Sequence, residues 1–174
     1  SNVDALVEVH RLSEIQKCIG TPLPLFHVNA LEFSLFCSFF SGSRLVLFDS
    51  AEPFRILRAV HEEKIEILSL VPPIIRSLAQ VGPRPDEFDL ASLKYVVSAA
   101  APLSSALARE FYSKFGVRIV QGYGLSEAVN FSTLIPPDLS DVSYQRWMLQ
   151  SNPPSIGCAL PYNEIGVLSS EGLP

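Results

Sequence analysis

Val117-Arg118-Ile119-Val120-Gln121-Gly122-Tyr123-Gly124-Leu125-Ser126-Glu127-Ala128 is the stretch from which the rest of the chain can be read. It begins as a short apolar strand and runs into a tyrosine flanked by glycines, then a hydroxyl and a carboxylate side by side. The two glycines predict a tight turn and a backbone that a ligand can approach closely. Tyr123 then offers a flat face at a strand end, where open α/β sheets place their ligands. Ser126 can donate to an anionic oxygen, and Glu127 supplies the hard oxygen that Mg²⁺ takes. A ring, a hydroxyl and a carboxylate suit a nucleotide–Mg²⁺ site. They suit equally an ordinary strand–turn–helix corner with a surface Tyr and Glu, and spacing alone does not separate the two.

Working upstream, Ser104 can cap a helix reaching about Phe115, with Leu107, Phe111 and Phe115 on one stripe. Before it, Leu93–Val97 reads as a strand ending in Ser98-Ala99-Ala100-Ala101-Pro102. Further back come a strand over Ile65–Val71, a short helix over Ile74–Gln80, a helix begun by Pro53, and a short buried strand over Arg44–Phe48. The proline-fixed segment Pro22–Asn29 leads into an apolar helix from about Val28 to Phe40. Cys18-Ile19 precedes it as a short strand, and Val3, Leu6, Val7, Val9 and Ile15 form an imperfect helical stripe. Strands alternating with helices predict a mainly parallel α/β sheet covered on both faces, in one unit over residues 1–174. Its connections would set Ser98–Pro102 beside Gln121–Glu127 at one sheet edge. Downstream, residues 132–155 read as one long connection with a short helix near Tyr144 and Trp147, and Glu164–Leu168 reads as a last strand.

Composition narrows the function classes. Hydrophobic residues make up 48% of the 174 and mean hydropathy is +0.27, which excludes disorder and fits a piece of a larger protein with covered faces. Net charge is -5 with no basic run, which argues against nucleic-acid and anionic-membrane binding. Cys18, Cys37 and Cys158 have no metal-ligand or disulfide spacing, as suits a reducing cytoplasm. No apolar run reaches the roughly 18 residues of a spanning helix, so no membrane span is expected.

Three rival chemistries fail on the residues. Gly124–Ala128 is close to a G-x-S-x-G nucleophile elbow, but His10, His27 and His61 all precede Ser126, whereas that fold needs its histidine afterwards. A dinucleotide fingerprint would place a glycine where Glu127 stands, and a bare carboxylate repels a pyrophosphate. No G-x-x-x-x-G-K-[ST] loop is present.

Together, Pro22–Asn29, Ser98–Leu103 and Gln121–Ala128 resemble the AMP-forming acyl-CoA synthetase (adenylate-forming) superfamily. The resemblance covers essentially the whole chain and implies an internal fragment of that superfamily's large N-terminal domain. It implies an enzyme that activates a carboxylic acid with MgATP to an acyl-adenylate and then passes the acyl group to CoA or a carrier-protein thiol. By the same resemblance, Ala99, Ala100, Ala101, Pro102, Gln121, Gly122, Tyr123, Gly124 and Ser126 are nucleotide-binding, with Glu127 on Mg²⁺. Ser126, Glu127 and His27 are the implied catalytic set. His27, Asn29, Phe33, Val129, Asn130 and Phe131 are the implied acyl pocket. Ala99 departs from the glycine of the family's S-G-A-A-P-L run. His27 stands where amino-acid-activating domains usually carry aspartate, which favours an aliphatic or aromatic acid over an α-amino acid. The family's phosphate loop would precede Ser1, and its ribose-binding aspartate, hinge and catalytic lysine would follow Pro174. The remainder of the parent chain is therefore an implied partner, and the isolated chain is expected to be inactive. The alternative is a non-catalytic α/β module that binds a nucleotide or a partner.

Overall fold

The computed structural model describes residues 1–14, 17–128 and 130–172; Ile15 of the first helical stripe and Val129 of the implied acyl pocket lie outside them. Among the described residues seven strands form one sheet in the order β2-β1-β3-β4-β5-β6-β7. β1 (Cys18–Thr21), β2 (Arg44–Leu47), β3 (Ile67–Leu70), β4 (Tyr95–Ser98) and β5 (Arg118–Leu125) are parallel. β6 (Asn130–Leu134) and β7 (Cys158–Ala159) continue the sheet antiparallel.

Strand alternation explains why both faces are covered. Leu68, Leu70, Val96 and Ile119 point to one side, onto α3 (Pro53–Glu63), α4 (Pro72–Val81) and α5 (Ser105–Phe115). Ile67, Tyr95, Val97 and Val120 point to the other, onto α1 (Asn2–Val9) and α2. α2 begins as a π-helical stretch, Asn29–Phe36, and continues as α-helix over Cys37–Ser41. Each fully buried Leu, Ile or Phe in these layers contributes about 1.5–3 kcal/mol. Ser104 caps α5 by accepting from the Leu107 N–H at 3.2 Å, as its position predicts.

Three expectations change. The Arg44–Phe48 run is an edge strand, with Arg44 and Leu47 exposed, because it pairs on one side only. β5 does not feed a helix: after a 3₁₀ turn at Ser126–Ala128 the chain folds back as β6, so the first residues of the expected 132–155 connection are strand. The short helix expected near Tyr144 and Trp147 is present, as α6 (Asp141–Tyr144, continuing π-helically over Gln145–Gln150). The Tyr144 hydroxyl accepts from the Ile119 N–H at 2.8 Å and ties that segment to β5. Glu164–Leu168 forms no strand; Val167 is 90% exposed, and an alternating pattern cannot become a strand without a neighbour to pair with. Among the described residues no helix is long and apolar enough to cross a membrane.

Candidate active site

Ser98 and Gln121 are register partners, so the carboxyl ends of β4 and β5 lie side by side. The loop leaving β4 separates two cavities. The first, about 560 Å³, is lined by His27, Asn29, Ala99, Ser126, Glu127, Asn130 and Phe131, with Leu23, Pro24, Val28, Val71 and Leu125 as apolar walls. The second, about 340 Å³, is lined by Ala101, Pro102, Leu103, Gln121, Gly122 and Tyr123, with Pro153, Pro154 and Ile156 opposite. Ala100 and Gly124 line both.

Most residues singled out in the sequence therefore meet at these two cavities. Ala99 and Ser126 face the first cavity rather than the second. Phe33 faces neither: it is fully buried against Phe131, ring centroids 6.2 Å apart, and against His10 at 4.9 Å. Phe33 lies one turn further along α2 than Asn29, beyond the cavity and inside the core cluster, so it is core and not pocket wall. Phe26 is 82% exposed and tilts over His27 at 4.6 Å, leaving the imidazole at the cavity.

The glycines of Gly122-Tyr123-Gly124 serve a purpose other than the expected one. Neither has positive φ. A Cβ on Gly122 would lie 2.3 Å from the Phe131 ring, and one on Gly124 would lie 1.5 Å from the Asn130 carbonyl oxygen. The glycines let β6 close on β5, and that closure leaves Tyr123, 48% exposed, standing out as a flat face.

Pro153, Pro154 and Ile156 belong to the second cavity although their segment reads as a bare connection. Gln121 holds them there, its Nε2 donating to the Ser155 carbonyl at 3.1 Å. A polar side chain at a buried strand end needs such a partner, which was the available signal. The left-handed turn on the shared wall falls to Ala100 at φ +68, not to a glycine. Ala100→Gly is expected to stabilise the protein by about 1 kcal/mol by relieving the Cβ clash. A thermal melt should then rise by about 2–4 °C.

Residues 2–174 match the family described as AMP-binding enzyme. The chain belongs to that family. It is 29% identical over 161 residues to 4-coumarate–CoA ligase 1 of Solanum tuberosum, covering 86% of this chain and 29% of that protein. The amide bond synthetase McbA of Marinactinospora thermotolerans superposes with a TM-score of 0.80 at 26% identity, over 99% of this chain and 33% of its own. An ATP-bound RpMatB–BxBclM chimera gives 0.74 at 25% identity, over 92% and 29%. The chain thus spans no more than a third of these relatives.

The shape of the second cavity fits a nucleotide: it is a mainly apolar slot with an exposed tyrosine ring on one wall. The donor set also suits a metal that arrives with the nucleotide. No cluster of three metal-ligating side chains exists among the described residues. Mg²⁺ needs only one or two carboxylates when phosphates and waters fill its other positions, and Glu127 provides one at the cavity wall.

Proposed function

We propose that the protein carrying this chain is an AMP-forming acid–thiol ligase. A carboxylate attacks the α-phosphate of ATP, pyrophosphate leaves, and the acyl-adenylate then gives its acyl group to the thiol of CoA, or of a carrier protein, releasing AMP. The observation that carries this reading is the shared wall. With adenine in the second cavity and the acid in the first, the α-phosphate and the carboxylate meet beside Ala100 and Gly124.

In this reading Tyr123 stacks on adenine, Ser126 donates to phosphate and Glu127 orients the nucleotide's Mg²⁺. When bound, that ion offsets charge on the phosphates. His27 caps the acid cavity near the carboxylate, and Asn29, Asn130 and Phe131 wall it, with Val129 assigned there from the sequence alone. The largely apolar walls suit an aryl or fatty acyl group. The ligase from Solanum tuberosum, whose name specifies 4-coumarate, favours the aryl member of that pair. The free cysteines suit a cytoplasmic enzyme.

The test is calorimetric titration with a non-reactive acyl-adenylate analogue. Tyr123→Ala is expected to weaken binding by about 10–100-fold, the loss of one stacked base. Unchanged affinity would remove Tyr123 as the adenine platform. The 174 residues alone should release no pyrophosphate from MgATP with any acid, since neither cavity is lined by Lys or Arg to take up phosphate charge. Release from the isolated chain would show that assignment incomplete. Failure of the full-length protein to release pyrophosphate while still binding the analogue would favour a non-catalytic module.

A further inference from the structure

The turn carrying Ser126 and Glu127 is closed by an unusual residue. Asn130 is 4% exposed and holds φ +73, a left-handed conformation that asparagine tolerates better than most side chains. It pairs opposite Leu125 in the ladder, so its backbone sets the angle at which the chain leaves the turn. On the strand side there is no slack, because its carbonyl fills the space beside Gly124.

Behind Asn130 lies Glu32, on the π-helical part of α2, three residues after Asn29. Glu32 is 5% exposed, and its Oε2 has no hydrogen-bond partner. The Asn130 amide faces this carboxyl, yet its Nδ2 also lacks a completed hydrogen bond, as do both amide atoms of Asn29. Buried, incompletely satisfied polar groups destabilise a fold, and aliphatic side chains would fill the same space at lower cost. Three of them sit between α2, which lines the acid cavity, and the strand that closes the Ser126–Glu127 turn.

We propose that Glu32 is a positioning residue for nucleotide activation: through Asn130 it fixes the angle of the turn that presents Ser126 and Glu127. This rests on the ligase reading, in which that turn holds the phosphates and their metal. Glu32 itself touches neither.

Its protonation state is the natural readout. Burial raises the Glu32 pKa to about 7, with Asn130 opposing the rise. The other titratable groups around this helix are His10, Cys18, Cys37, Asp4 and Glu8, with His27 at the cavity just before its first residue. His10, after α1, is held neutral by burial, with a pKa lowered to about 3. Cys37 and Cys18 are pushed up by burial and stay protonated. Asp4 on α1 is lowered, its carboxylate held by the N-terminal amine, and Glu8 is exposed. β3 and β6 carry no titratable side chain. Glu32 is thus mostly protonated below about pH 7 and charged above it, where the carboxylate accepts more strongly from the Asn130 amide and holds it more firmly.

The experiment follows pyrophosphate release by the full-length protein, varying MgATP at saturating acid and then the reverse. Glu32→Leu is expected to raise the KM for MgATP about tenfold while the KM for the acid stays within about threefold. Glu32→Gln, which mimics the protonated form, should stay within about threefold of the parent near pH 6.5, and should lose the parent's fall in MgATP KM between about pH 6.5 and 8. Should Glu32→Leu fail to fold, the pH arm of Glu32→Gln decides alone. A MgATP KM unchanged in Glu32→Leu, a rise shared equally by both substrates, or a pH profile retained in Glu32→Gln would each overturn the assignment while the ligase reading stands. No pyrophosphate release by the parent with any acid would sink that reading and this one together.

Discussion

Glu127→Gln in the full-length protein is expected to lower acyl-adenylate formation by about 10²–10³-fold, the range for removing one preorganised electrostatic contact to a transition state. Glu127 is exposed on a 3₁₀ turn and belongs to neither core cluster, so the substitution should leave stability within about 0.5 kcal/mol. Fold and chemistry are therefore separable at this position. Amide and carboxylate have nearly the same shape, but the amide oxygen is neutral and a poorer partner for a hard dication. Adenine affinity should be preserved, because Tyr123 lies on the other cavity, from which Glu127 is absent. Rates of pyrophosphate release at saturating MgATP check this. A loss below about threefold would mean that Glu127 does not carry the role given to it.

How much of this was readable from the chain depends on whether the determining contact was local. Strand periodicity and the Pro53 and Ser104 helix starts are local signals, and the five parallel strands fall where they indicate. The hairpin β5–β6 is not local in that sense. Ser132–Leu134 looks like the start of a connection because the pairing of β6 depends on Gly122 and Gly124, six or more residues away, having no Cβ. The same glycines read in isolation suggest backbone freedom, whereas their φ values are unexceptional and their small size is what matters. Phe33 shows the converse: the resemblance implies a pocket wall, but one turn along the helix from Asn29 it packs on Phe131 in the core. Glu32 gave no signal at all, since a lone glutamate in an apolar helix reads as solvent-facing until its burial is seen.

Gly124→Ala is expected to be the most destabilising substitution in the motif, costing more than about 4 kcal/mol, the range that marks a specific structural clash. The added Cβ would lie 1.5 Å from the Asn130 carbonyl oxygen, 2.5 Å from its carbon and 2.8 Å from the Phe131 Cα. All three are backbone atoms of the paired strand, so no rotamer change relieves the overlap. Either β5 and β6 separate, breaking the ladder, or the bulge between Tyr123 and Gly124 moves and takes the Ser126–Glu127 turn with it. Gly122→Ala provides the contrast. There the contacts are the Phe131 ring at 2.3 Å and the Leu134 side chain at 2.8 Å, both of which can shift at a smaller cost. Chemical denaturation should therefore rank Gly124→Ala well below Gly122→Ala, with a midpoint lowered in both. Equal losses would mean that the hairpin slides freely. In that case the turn could not hold Ser126 and Glu127 at a fixed angle to the tyrosine face, and the two cavities would not share a defined wall.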